Sequence, residues 1–318
     1  MTHLPHPAGP RRLVFAGEAI VDVAAHVPGL PGRGGDVLAS SSGVTVGGGF
    51  NVMAAAARQG MAVLYAGGHG TGPWGDLVRT VLAGEGIGVL RAPDPLRDTG
   101  FVVVLVEPGG ERTFVTSLGA ESFHDLAALT ALPGDVVYVS GYGLLGPSAT
   151  EVAEWAGALS RGSLLFLDPG PLAGDIPPSM LARVLPRCDW LSVSIREATL
   201  LTGADDPEGA ASALASRTSG GVIVRTGPSG CVLAPGAHSA GGPEVTRVPA
   251  PKVDAIDTTG AGDAHAGAFL AALADGLSPV AAARRANAAA ALAVTRRGPA
   301  TAPTRSDLDA WLADPRAH

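Results

Sequence analysis

The stretch DTTGAGDAHAGAF, residues 257–269, sets two threonines, two glycines and two aspartates in seven positions and then turns apolar. Helix amides are unpaired where such a turn opens a helix, and their partial positive charge makes an anion site. Gly260 and Gly262 let the backbone approach a phosphate without an intervening Cβ, and the Ala261 amide completes the cradle. Asp263 is a residue that a pure phosphate cradle would exclude, because it adds a second negative charge. The first-turn dipole favours its ionised form, which can accept a proton from an incoming hydroxyl. A base beside amides that stabilise developing charge is what phosphoryl transfer mostly requires. The alternative for GxGD alone is a tight turn with Asp263 as a cap.

These residues need a particular frame. VDAIDTTGAGDAHAGAFLAALADG predicts a short apolar strand, the turn and an alanine-rich helix. From residue 134, DVVYVSG, SLLFLD, WLSVS and GVIVRT read as strands, alternating with helical segments such as ATEVAEWAGALS, MLARVL and EATLLTG. Continuous β-branched runs between helices imply a parallel sheet covered on both faces. RLVFAG and AVLYAGG add strands around the helix-like NVMAAAARQG. GGDVLASSSGVTV, and TGFVVVLVEPGGERTFVTS with its EPGGE turn, read instead as a small antiparallel sheet, a lid inserted in two pieces at about 35–46 and 99–118.

Composition narrows the chemistry. The 318 residues are 46% hydrophobic, enough for a full core, and the formal charge of -7 argues against a nucleic-acid binder. Cys188 and Cys231 stand far apart, so neither a disulfide framework nor a cysteine-rich zinc site is expected, which fits a reducing cytoplasm. No apolar run approaches the roughly 20 residues of a bilayer span, and residues 1–12 read as a loose leader rather than a signal peptide. Lys252 is the only lysine, which excludes a GxxxxGK[ST] phosphate loop. Phosphate must then be held by amides and arginine. The eight histidines lack zinc spacing, and no GxSxG turn supports a hydrolase.

DTTGAGDAHAGAFLAAL resembles the C-terminal signature of the ribokinase-like, or PfkB, family of carbohydrate kinases, with His265 where the family more often has an aromatic. The resemblance covers the chain from residue 13 to 318 and implies an α/β, ribokinase-like fold. That fold has a central, mostly parallel sheet flanked by helices on both faces, and a small β-sheet lid. GEAIVDV looks like the family's first strand and points to Asp22 as a ligand of sugar hydroxyls; a buried structural aspartate is the alternative. VGGGFNVMAAAARQG resembles the second signature, which implies Gly47, Gly48 and Asn51 at the hinge and acceptor site, with Val46 where the first hinge glycine usually sits. By itself Asn51 could equally be an N-cap.

The same resemblance implies a nucleotide and metal side. VSIREATLLTG is similar to the segment near magnesium and phosphate, with Glu197 in place and Ser194 replacing an asparagine. VRTGPSGCVL implies Thr226, Gly227 and Gly230 at the nucleotide, although its pattern alone also fits a hairpin turn. ARRANAAAALAVTRRG implies Asn287 beside the adenine. Asp257 and Thr259 match a monovalent-cation pair, with turn stabilisation as the plain alternative. LFLDPGPL departs from the DPNxR string of several relatives at Gly170 and in its missing arginine. Arg112, in GERTF, would suit an anionic acceptor if it reached the pocket, and is otherwise a solvated turn charge.

The expectation is an ATP-dependent kinase for a hydroxyl of a small sugar or sugar-like alcohol, with Asp263 as general base and Gly260, Ala261 and Gly262 as the anion cradle. ATP, Mg²⁺ and a monovalent cation such as K⁺ are the implied cofactors. A small-molecule partner, a cytoplasmic location and a homodimer through the lid strands complete the reading, with no nucleic-acid or membrane partner. A nucleoside kinase on the same fold and a non-catalytic sugar-binding relative are the alternatives.

Overall fold

The computed structural model describes residues 12–123, 126, 129–237 and 244–314, so the leader expected at 1–12 lies outside the described residues except for Arg12. In chain order the first elements are β1 (Arg12–Ala16), β2 (Ala19–His26), β3 (Ser41–Gly48), α1 (Phe50–Arg58), β4 (Ala62–Tyr65), α2 (Pro73–Gly84) and β5 (Gly88–Val89). Next come β6 (Phe101–Val106), β7 (Arg112–Ser117), β8 (Val136–Ser140), α3 (Ala149–Ala158), β9 (Leu164–Asp168), α4 (Pro178–Val184) and β10 (Trp190–Ser194). The rest are α5 (Ile195–Thr202), α6 (Pro207–Ala215), β11 (Gly221–Arg225), β12 (Cys231–Pro235), β13 (Thr246–Val248), α7 (Ala261–Ala274), α8 (Pro279–Ala293) and α9 (Arg305–Ala313).

Among the described residues the main sheet has the order β13-β12-β11-β10-β9-β8-β1-β4-β5. Its pairings are parallel from β11 across to β5, and β12 runs against both of its neighbours. Alternate strand residues feed two cores. Leu13, Phe15, Tyr138, Phe166 and Ile223 face α1, α7 and α8, whereas Val14, Val137, Leu165, Leu167 and Val224 face α3, α4 and α6. Burial on both faces explains why these strands are continuously apolar. On the first side an aromatic file crosses the strands: Phe15 stacks on Tyr138 at 4.8 Å, and Tyr138 on Phe166 at 5.3 Å.

The second sheet has the order β3-β2-β6-β7. Only β2 and β6 pair in parallel there. GEAIVDV supplies Ala19–His26, which follows β1 and crosses into the lid as a strand paired with β3 and β6. One sequence expectation changes: the apolar segment before DTTGAG is not a strand, for β13 ends at Val248 and residues 249–257 have no ladder. Pro249 and Pro251 cannot donate to a ladder, so pairing stops where they begin. VRTGPSGCVL does form a hairpin, with β11 and β12 antiparallel around Gly227–Ser229.

Candidate active site

The site is built where two helices begin side by side. α7 is apolar on every face, with Ala264 to Leu273 all buried, as expected of a helix inside a core. It crosses α1 closely because residue 267 is glycine. A Cβ on Gly267 would stand 2.6 Å from the Ala55 Cβ and 2.7 Å from both the Ala56 nitrogen and the Val52 carbonyl oxygen. One turn earlier on each helix, that contact places Asn51 against Asp263: the Asn51 Nδ2 donates to Asp263 Oδ2 at 3.1 Å. Gly260, at φ +73°, starts α7 from a left-handed conformation that favours glycine.

Neither side chain serves as a cap. The α7 N-cap is Gly260, with no side-chain capping bond, and the α1 N-cap is Gly49. Asn51 Oδ1 is buried with no protein hydrogen-bond partner, an acceptor aimed at nothing the chain supplies. Residues 260–263 are half-buried while Ala264 to Leu273 are covered, so the first turn stands at the edge of the core. Burial raises the Asp263 pKa to about 6; the Asn51 amide pulls it down, the Asp168 and Glu197 charges push it up, and Arg225 pulls it down again.

Arg225 and Asp168 are the site residues that sequence reasoning missed. Arg225 ends β11, and its Nη1 donates to Asp168 Oδ2 at 2.7 Å and to the Ser192 Oγ; its Nη2 donates to Glu197 Oε2 at 3.4 Å. A Gly262 Cβ would lie 3.5 Å from Arg225 Cζ and Nε, so the guanidinium packs against the first turn of α7. Burial disfavours its charge, but the Asp168 and Glu197 carboxylates more than offset this and keep it cationic. The available signal was positional: Arg225 and Asp168 both stand at carboxyl ends of parallel strands, where open α/β sheets bind ligands.

On the lid side, Asp22 of β2 is in register with Thr45 of β3, and its carboxylate leans over Gly47, whose absent side chain leaves it room: a Cβ there would fall 2.1 Å from Asp22 Oδ2. Burial raises Asp22 to about 6. Gly48 adopts φ +61° and Gly49 lies against the Phe15 ring, so the chain turns from β3 into α1 through three residues without side chains. Arg112, at the start of β7, donates from Nη2 to Asp257 Oδ1 at 3.0 Å and so joins lid to main domain. The same oxygen accepts the Thr259 backbone N–H and hydroxyl, and Asp257 Oδ2 accepts the Gly298 N–H. Burial alone would raise Asp257, but these donors hold it far below the usual carboxylate range.

The remaining expected residues have structural partners. Ser194 and Glu197 form a reciprocal capping box at the start of α5. The Thr226 hydroxyl donates to the Gly230 carbonyl inside the β11–β12 turn. Gly230 packs against residues 248–250, where a Cβ would meet the Val248 oxygen at 2.1 Å. Asn287 binds the same segment, donating from Nδ2 to the Val248 and Pro249 carbonyls. His265 is buried and stacked on Phe269, with no protein hydrogen bond at either ring nitrogen.

Three comparisons place this arrangement. The profile of the "pfkB family carbohydrate kinase" matches residues 10–305. The protein called "Uncharacterized sugar kinase YegV" of Escherichia coli (strain K12) is 34% identical over 315 residues, covering 96% of this chain and 96% of its own. Among solved structures, the ribokinase of Thermotoga maritima superimposes with a TM-score of 0.83 at 26% identity, over 96% of this chain and all of that one. The Arabidopsis thaliana ribokinase complexed with ribose and ATP has the same fold, with a TM-score of 0.80 at 23% identity over 96% of this chain and 100% of its own. An α/β sheet with a β lid, a buried alanine-rich α7 opened by TTGAGD, and matches along nearly the whole chain lead to one conclusion: the protein belongs to the pfkB family of carbohydrate kinases.

Proposed function

We propose that the protein transfers the γ-phosphoryl group of ATP to a hydroxyl of a small sugar or sugar-like alcohol, with Asp263 as the general base. The observation that carries this is the Asn51–Asp263 contact at the amide end of α7: a carboxylate and a buried, unpartnered carbonyl oxygen converge at a first turn where the Gly260 and Gly262 amides have no partner among the described residues, while that of Ala261 donates to the Thr258 carbonyl at 3.3 Å. The hydroxyl attacks phosphorus as Asp263 takes its proton, and the amides of Gly260, Ala261 and Gly262 offset charge on the phosphoryl oxygens. Asn51 and Asp22 orient the acceptor, and the lid excludes water. The Thermotoga and Arabidopsis ribokinase likenesses support the sugar and nucleotide assignments.

Thr226, Gly227 and Gly230 of the β11–β12 turn, with Asn287 behind residues 248–249, would form the nucleotide side. The implied metals fit unequally. Glu197 and Asp168 already bond Arg225, and no group of three metal-ligating side chains stands together among the described residues. Magnesium fits here as an ion held mainly by nucleotide phosphates and water, with Glu197 and Asp168 outside them; it would supply charge neutralisation. A monovalent cation does not fit at Asp257 and Thr259, because the Arg112 guanidinium occupies the same carboxylate oxygen as the threonine. No step is assigned to it.

The exposed Phe114 and Val115 of β7 favour a homodimer through the lid. Cys188 and Cys231, both buried free thiols, fit a reducing cytoplasm. No described helix is long and apolar enough to cross a membrane. The test is an acceptor screen with ATP over pentoses, hexoses and nucleosides. ATP-dependent phosphorylation of a sugar upholds the reading, a nucleoside acceptor redirects it, and sugar binding without turnover replaces it with a ligand-binding role.

A further inference from the structure

Arg225 has no part in the mechanism above, yet it lies against the turn that performs it. Its guanidinium is held on three sides by Asp168 from β9, Ser192 from β10 and Glu197 from α5. Those contacts occupy both Nη1 protons and one on Nη2. The Nε–H and the second Nη2–H have no hydrogen-bond partner among the described residues. This is the edge at which arginine binds phosphate in bidentate fashion. The positions nearest a Gly262 Cβ are Cζ and Nε at 3.5 Å and Nη2 at 3.6 Å, so the same part of the side chain lies along the α7 first turn.

Charge argues the same way. Asp168 and Glu197 put two carboxylates on one guanidinium, and Asp168, Arg225 and Glu197 all enter the electrostatics of Asp263. Without Arg225 a phosphoryl group arriving there would meet these carboxylates with no side-chain cation among them. A guanidinium already locked by neighbours loses little conformational freedom when it binds. The chain has no lysine except Lys252, so a fixed side-chain cation at this turn has to be arginine.

We propose that Arg225 is a further catalytic residue, donating from Nε and Nη2 to the phosphoryl group that the first turn of α7 receives. The role rests on the kinase reading. In that reaction the acceptor oxygen forms a bond to the γ-phosphorus as the bond to the bridging oxygen breaks. The hydroxyl proton passes to Asp263, the electron pair leaves with ADP, and Arg225 offsets the charge growing on the phosphoryl oxygens.

The experiment compares the full-length wild type with Arg225→Gln and Arg225→Lys, using the acceptor found by the screen and measuring ATP binding by calorimetry. Turnover of Arg225→Gln falls about 10²- to 10³-fold while acceptor KM stays within about threefold, and Arg225→Lys, which keeps the charge but loses the fork, falls at least about tenfold. Guanidinium chloride at non-denaturing concentration restores part of the Arg225→Gln activity and does not stimulate wild type. If Arg225→Gln fails to fold because Asp168 loses its partner, Asp168→Asn/Arg225→Gln and Arg225→Lys carry the test. Turnover within threefold of wild type in the folded variants, or a loss confined to melting temperature, overturns the role. A wild type inactive on every acceptor, but with ATP affinity that drops in Arg225→Gln, removes the kinase reading and keeps the phosphate contact. ATP affinity equal in all three proteins, without turnover, sinks both.

Discussion

Asn51 and Asp263 stand 212 residues apart in sequence and share a 3.1 Å hydrogen bond, set by the one-turn-later contact of Gly267 with Val52, Ala55 and Ala56. Two helices that begin together hold both polar side chains at one edge of an otherwise apolar core. The proposed base is therefore oriented by Asn51, and neither helix can shift without separating them.

Replacing Asp263 separates catalysis from stability. Asp263→Asn is expected to lower turnover about 10²- to 10⁴-fold with little change in ATP affinity, measured by initial rates and calorimetry. The Asp263 pKa is raised in the folded state, so its contribution to stability is present below the unfolded value near 4 and is lost as pH rises through about 6. The variant should accordingly melt a few degrees above wild type at pH 7.5, with the gap closing towards pH 4. A lower melting temperature at pH 7.5 would contradict this.

The acid limb of the rate profile reports the same group. A general base at Asp263 must be ionised to act, and its pKa of about 6 in the free protein places the fall in kcat/KM near that pH, about tenfold per unit below it. Asp22, also raised to about 6, steepens the fall in kcat/KM for the acceptor if its ionised form binds sugar. A flat profile down to pH 4.5 would remove Asp263 as the base.

Gly267→Ala tests the helix crossing without changing any polar side chain. Its Cβ would meet backbone atoms of α1 at 2.7 Å, which cannot rotate away. We expect a loss of about 1–3 kcal/mol in denaturant unfolding, from overpacking, and at least about a tenfold drop in turnover as Asn51 moves from Asp263. Unchanged turnover in a destabilised variant would show that the base does not depend on this contact.

Arg112→Ala tests the lid connection. With the guanidinium in place, turnover should be the same within about twofold in potassium and tetramethylammonium salts, because Asp257 already has its cation. The alanine variant should raise acceptor KM severalfold through a looser lid and become responsive to potassium. Strong potassium activation of wild type would show that Arg112 leaves Asp257 during the reaction.

Acid stability reports on the two unpartnered histidines. Burial drives His69 down to about 4 and His265 to about 3, so both are neutral when folded. The unfolded chain takes up their protons below pH 6.5, and stability must decline as pH falls from there towards those values. His265→Phe keeps the ring stacked on Phe269 and removes one titrating group, so its melting temperature should fall less between pH 7 and pH 5 than that of wild type. An equal fall would show that His265 is protonated without cost.

The sequence alone was enough for the parallel sheet, the lid hairpin and the glycine turn that opens α7, because these rest on local chemistry. Continuous β-branched runs, EPGGE, and glycines followed by an acid and an alanine helix declare themselves within a few residues. Tertiary structure decided what those residues touch. Only the crossing at Gly267 makes Asn51 a partner of Asp263 instead of a cap, and only the lid's position turns Arg112 towards Asp257. Arg225 and Asp168 could not be read as a pair, because their separation of 57 positions in sequence is spanned by the side-by-side pairing of β9, β10 and β11. Local signals encode how a segment bends and which face it buries, whereas a charged pair across a sheet exists only after strand order is fixed by the core beneath it.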